Sequence, residues 1–201
     1  MTETEKTTLQ FVPRVTEAEE TALQFVRIWG EAVLRQAERA RAVRERSARE
    51  WRQFDYMEDW SPTSEELDTT FREQWAEEHT LVWTAHQLER WEGRLRKERG
   101  EAPVEPDELL KNVRDALEHL DEVDFRAGSA VPPDAAGGGV TGKALRRLPG
   151  EQLWIALADG SSFEGVAPET VEAHALAVVR SIEEHLEQTA VDRYLDLLRG
   201  R

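Results

Sequence analysis

The chain contains no cysteine, which excludes disulfides, thiol nucleophiles and cysteine-bound metals. Long apolar runs are missing too. Nothing in the sequence approaches the roughly 20 residues that a membrane-spanning helix needs. The opening MTETEKTTLQ lacks the apolar centre of a secretory leader. The expectation is a cytoplasmic protein with no membrane partner. Lysine is scarce, with 4 lysines beside 22 arginines, a bias of genome composition rather than of function. Positive charge falls short overall: 26 basic against 41 acidic residues leave a net charge of −15. Such a chain repels the phosphate backbone at long range, so broad coating of nucleic acid is not expected. A local phosphate site built from one or two arginines remains open.

What is present is helical periodicity. With 201 residues the chain can bury a real core as one domain, here residues 16–201 behind a polar tail at 1–15 interrupted by Pro13. Thr16 and Glu19 have capping-box spacing. Ala22, Val26, Trp29, Val33, Ala37, Ala40, Ser47, Trp51 and Phe54 then recur at threes and fours, which predicts a helix to about residue 58. Within it, RQAERARAVRERSARE reads either as a basic RNA-binding face or as a solvated flank, and the interleaved glutamates favour the flank. A second helix is predicted from a cap at Ser61 or Ser64 to about Arg99. A third opens at Pro106 and Asp107, with Leu109, Val113, Ala116, Leu117 and Leu120 inward. Residues 126–150 read as a Gly/Pro-rich loop, functional or mobile, with high mobility or only marginal packing predicted over 127–143. In QLWIALADGSSFEGV two short apolar runs flank Asp159-Gly160, the signal of a hairpin within 152–166. From Pro168 the helical period returns. These elements predict an all-α fold: an antiparallel four-helix bundle with a small β-hairpin before the last helix.

Several motifs compete for chemistry. GGGVTGKA sets Gly137, Gly142 and Lys143 at the spacing of a phosphate-binding loop, but Ala144 stands where a magnesium-binding hydroxyl belongs. A loop with a basic end is the better reading. His79 and His86 are two helical turns apart, too far to share an ion without ligands from another helix. They read as partly buried structural histidines, and no metal or cofactor is expected. No serine has a convincing base and acid beside it.

VRDALEHLDE, residues 113–122, is different. Arg114 and His119 are separated by about 140° on a helical wheel and fall on opposite borders of the third helix's outward face. A site there needs a second molecule to wall it. The residue types suit phosphodiester chemistry. Imidazole moves a proton near neutral pH, and guanidinium holds a phosphate and the charge that develops on it.

An arginine, a polar residue, three more and a histidine on a helical bundle resemble the HEPN superfamily of nucleotide-binding domains, and RDALEHLDE carries the resemblance. HTLVWTAHQLERW on the preceding helix and the late hairpin plus helix also look similar, over roughly residues 64–195. The resemblance implies a metal-independent endoribonuclease, a toxin or defence effector acting as a homodimer on RNA. Arg114 would bind phosphate, His119 would be the acid or base, and Asp115 would orient them. An antitoxin or nucleotidyltransferase would be the partner. Asp115 departs from the asparagine common in that family and adds a negative charge beside the phosphate. Arg72–His79 and Arg180–His185 also fit the family's gap of four to six residues, but only the third helix has both the wording and the context. The alternative is a non-catalytic HEPN-like or helical-bundle interaction module that uses the same surface.

Overall fold

A computed structural model describes residues 15–57, 60–133 and 140–199. Among these the protein is mostly helical, with five α-helices and one three-stranded antiparallel sheet. In chain order they are α1 (Glu17–Asp55), α2 (Ser64–Glu98), α3 (Glu108–Glu118), β1 (Asp124–Arg126), β2 (Ser129–Val131), α4 (Val140–Leu145), β3 (Leu153–Trp154) and α5 (Pro168–Leu198). No described helix is long and apolar enough to cross a membrane.

The helix starts follow from side chains that satisfy otherwise orphaned backbone donors. Thr16 accepts from the Glu19 amide at 3.1 Å. α2 is capped by Thr63, not by Ser61 or Ser64. Thr63 and Glu66 form a reciprocal capping box, while the Ser61 hydroxyl donates to the Gln53 carbonyl at 2.8 Å. At α3, Asp107 accepts from the amides of Leu109 and Leu110 at 3.0 and 2.9 Å. α1 stops at Asp55, short of the predicted residue 58, which lies outside the described residues.

α1 and α2 lie antiparallel. Phe25 stacks on Trp91 at 4.2 Å, and Trp29 meets Trp83 edge-on. The arginine-rich stretch of α1 does more than solvate a flank. Arg44 pairs with the buried Glu78, Arg46 with Glu73, and Arg41 with Glu172 of α5. α5 crosses α1 where Gly30 leaves room; a β-carbon there would stand 2.7 Å from Val179. The core runs from Val26, Val33, Leu81 and Leu88 through Val113 to Leu145, Leu153, Leu157 and Phe163.

The predicted hairpin is misplaced. The two-stranded turn lies at 124–131, where Ala127 and Gly128 both have positive φ (48° and 84°) as a type I′ turn demands, setting Arg126 opposite Ser129. From 152–166 only β3 joins the sheet, against β2. Leu153, Leu157, Phe163 and Val166 are all buried, so this segment serves as core rather than as a free ribbon.

The 126–150 loop is likewise corrected. It supplies β2 and α4, and Ser129, Ala130, Ala144, Leu145 and Leu148 are buried. Its residues 134–139, like residues 1–14 of the predicted tail, lie outside the described residues. Because α4 packs on α3, α3 buries a wider arc than its sequence stripe indicated. Leu110 and Asn112 are buried, while Leu109 and Leu120 are only half-buried.

Candidate functional site

α2, α3 and the first turns of α5 enclose a groove of about 740 Å³. Leu88 and Leu110 form its floor, and Val104, Pro106 and Val171 its walls. Each helix also delivers polar groups to the rim: His86, Glu89 and Glu92 from α2, Lys111 and Arg114 from α3, and His174 from α5. Glu89 accepts from the Asp107 amide, which fixes the start of α3 against α2.

Arg114 is among the residues that line the groove. Its side chain is 21% exposed, and its guanidinium is engaged on three sides within its own chain. It lies 3.0 Å from Asp115 and 2.5 Å from Glu118, and 3.0 Å from Nε2 of His86. A guanidinium only donates, so Nε2 of His86 accepts, and the proton of a neutral ring sits on Nδ1. His86 is buried, and its Nδ1 has no hydrogen-bond partner; Glu89 Oε2 stands 3.7 Å away. A buried donor without an acceptor beside an apolar groove is an invitation to a ligand carbonyl or carboxylate oxygen.

His119 takes a different place. α3 ends at Glu118, and His119 is its C-cap with φ −130° and ψ 34°, so it leaves the helical phase from which the sequence placed it. Its ring is 41% exposed and pairs with Glu122 at 3.6 Å. Arg114 lines the groove, whereas His119 does not. Asp115 touches Arg114, one of the two residues that the resemblance has it orient. Arg114 and His119 therefore do not share this groove within one protomer.

The other histidines have specific causes for their behaviour. His174 hydrogen-bonds Glu92 at 3.0 Å. That bond raises the histidine above its ordinary range against the opposing effect of burial, and lowers the carboxyl. His79 stacks on Trp75 at 5.3 Å, and burial lowers its pKa despite the nearby Glu118. His185 and Arg180 are exposed on α5. No cluster able to hold a metal exists among the described residues. The GGGVTGKA segment falls partly outside the described residues. Its end forms α4, where Lys143 is exposed and Ala144 buried.

Of the polar residues that line the groove, the sequence singled out only Arg114 as functional; His86, Glu89, Glu92, Lys111 and His174 were missed. His86 stands on the apolar stripe of α2 and looks structural there; its arginine partner comes from another helix. His174 had no local signal. No family model matches the chain, and no curated protein or solved structure is detectably similar to it.

Proposed function

We propose that this chain is a non-catalytic interaction module, a HEPN-like antiparallel four-helix bundle (α1, α2, α3 and α5) whose binding site is the α2–α3–α5 groove. The observation that carries the reading is the state of Arg114. Its guanidinium is held by Asp115, Glu118 and His86 of the same chain, so a phosphate there would meet two carboxylates already in place in a protein of net charge −15. The groove, by contrast, has the size and lining of a ligand site: apolar walls with a few convergent polar groups. Its occupant is an apolar group, a partner's side chains or a small molecule, that brings an oxygen acceptor to His86.

The wild-type protein is expected to leave RNA intact, with or without chelator, and His119→Ala to behave identically. A neutral apolar dye, Nile red, should bind saturably. Val104, half-exposed on the groove wall, supplies the probe: Val104→Glu should weaken dye binding about tenfold, the equivalent of about 1.4 kcal/mol. RNA cleavage by wild type that His119→Ala removes would overturn the reading.

That outcome would favour the second reading, a metal-independent endoribonuclease with RNA as substrate, for which the resemblance implies a homodimer and an antitoxin or nucleotidyltransferase partner. The Arg114–Asp115 contact at 3.0 Å and the placement of His119 at a surface helix end favour it. Arg114 and His119 would then meet across two protomers. Loss of either should cost on the order of 10²–10⁴-fold, and Asp115→Asn should preserve cleavage.

A further inference from the structure

A donor and an acceptor stand side by side in the groove without satisfying each other. Nδ1 of His86 is the donor, because Nε2 of the same ring accepts from Arg114 at 3.0 Å. It is shut off from water and has no hydrogen-bond partner. Glu89 Oε2, one helical turn further along α2, is 3.7 Å from it, too far for a hydrogen bond. The carboxylate is not free to lean closer. Its other oxygen, Oε1, accepts from the Asp107 amide at the start of α3, which holds the group in place. Both side chains line the groove.

We propose that this pair receives the primary carboxamide of a small apolar molecule, an inference that rests on the groove being a ligand site. The ligand's carbonyl oxygen accepts from His86 Nδ1, and its N–H donates to Glu89 Oε2. Amide bond lengths of about 1.23 and 1.33 Å set the oxygen and nitrogen roughly 2.2 Å apart. Two hydrogen bonds of about 2.9 Å, splayed slightly, then reach partners spaced 3.7 Å. A primary amide presents both groups on one edge, whereas a trans peptide amide points them in opposite directions. The apolar body lies on Leu88, Leu110, Val104 and Val171, in a groove whose volume of about 740 Å³ suits a small molecule.

The surroundings decide against a charged head. A carboxylate bound to His86 sets its second oxygen against Glu89 with no proton between them, and Glu92 and Asp107 stand on the same rim. The cations that could offset this are engaged elsewhere. Arg114 is held by Asp115 and Glu118, Lys111 by Glu108 at 3.2 Å, and His174 by Glu92 at 3.0 Å. Arg90 also lines a separate cleft with Trp91 and Arg94. An ammonium has no lone pair for His86 to donate to, and an ester has no N–H for Glu89. The primary amide answers both groups.

Competition against Nile red on the full chain at neutral pH tests the proposal. Hydrocinnamamide and hydrocinnamate share one apolar body and differ only in the head. The amide should displace the dye from wild type at about tenfold lower concentration than the acid. Acetamide, the head without the body, should displace none over the same range. Glu89→Gln gives a readout that a purely structural role would not move. Its side-chain oxygen can still accept from the Asp107 amide, while its nitrogen faces the ligand as a donor. The preference should therefore vanish or turn towards the acid, with unchanged circular dichroism. An acid that competes as well as the amide in wild type overturns the proposal. So does a preference that survives Glu89→Gln, or acetamide that competes as well as hydrocinnamamide. Nile red that never binds overturns the groove reading itself and this proposal with it, whereas saturable binding without an amide preference overturns this proposal alone.

Discussion

His174 and Glu92 are a residue pair whose worth depends on pH in a direction that can be fixed. The histidine is raised and the carboxylate lowered, each chiefly by the hydrogen bond between them. The histidine's contribution is complete below its ordinary value of 6.5 and is lost as pH rises through the raised value of the folded state. The contribution of Glu92 is complete above 4.5 and is lost as pH falls through its lowered value. The pair therefore stabilises most between those limits. We expect the stability gap between wild type and His174→Ala to be widest near about pH 5.5 and to shrink by about pH 8.5, read from urea midpoints. His79 has the opposite shift, but it is common to both proteins and cancels in the difference. A gap that widened on the alkaline side would refute the assignment. With the His174 side chain 49% exposed, solvent screening keeps the effect modest. The same scale explains why the groove was only partly legible. The chemistry of Arg114 was visible in VRDALEH, but its partner His86 is 28 positions upstream, and no local pattern connects the two.

At the scale of elements, the turn at Asp159-Gly160 is a seat rather than a hairpin. Gly160 has φ 84°, and a β-carbon there would stand 2.6 Å from the Arg44 carbonyl oxygen and 2.8 Å from Ala48 of α1. The close approach brings Ser161 within reach of Gln74, which donates to its carbonyl at 2.5 Å. Gly160→Ala should destabilise by about 1–3 kcal/mol from left-handed strain alone, with the clash added. Gly93 of α2 is the opposite case. Nothing lies within 4 Å of its β-carbon position, so Gly93→Ala should stabilise by roughly 0.5–1 kcal/mol. Urea denaturation should give opposite signs; destabilisation at Gly93, or none at Gly160, would refute the assignment. These positions also mark how far the sequence could be read. The long helices were legible because their apolar stripes are continuous and Thr16 announces the first. The sheet was not: a turn with positive φ at both residues does form at Asp159-Gly160, but among the described residues no strand follows it, whereas the turn that joins two strands uses Ala127, a residue that pays for left-handed geometry. α4 was hidden for a related reason. Its apolar residues sit next to a run of glycines and prolines, and only their burial against α3 makes a helix of them.

The whole molecule carries its net charge of −15 on a surface where many of the ion pairs are exposed or half-exposed, such as Arg35–Glu31 and Lys111–Glu108. Exposed pairs contribute about 0–1 kcal/mol each, and salt weakens them. The net excess of carboxylates works in the other direction: the folded state concentrates like charge that the unfolded chain disperses. Raising sodium chloride from about 0.02 M to about 0.3 M shortens the screening length from about 20 Å to about 6 Å. That distance spans the separations between unpaired carboxylates more than the contacts within pairs. The buried Arg44–Glu78 pair, at 12% and 2% exposure, is screened least of all. Self-repulsion should therefore be the term that salt relieves. The thermal midpoint is expected to rise over that range, equally in sodium and potassium chloride because the effect is screening rather than binding. A midpoint that fell with salt would mean that surface ion pairs outweigh the excess charge. The acidic surface would then be a stabilising network rather than a repulsive shell, and the electrostatic argument against an RNA substrate would lose its footing.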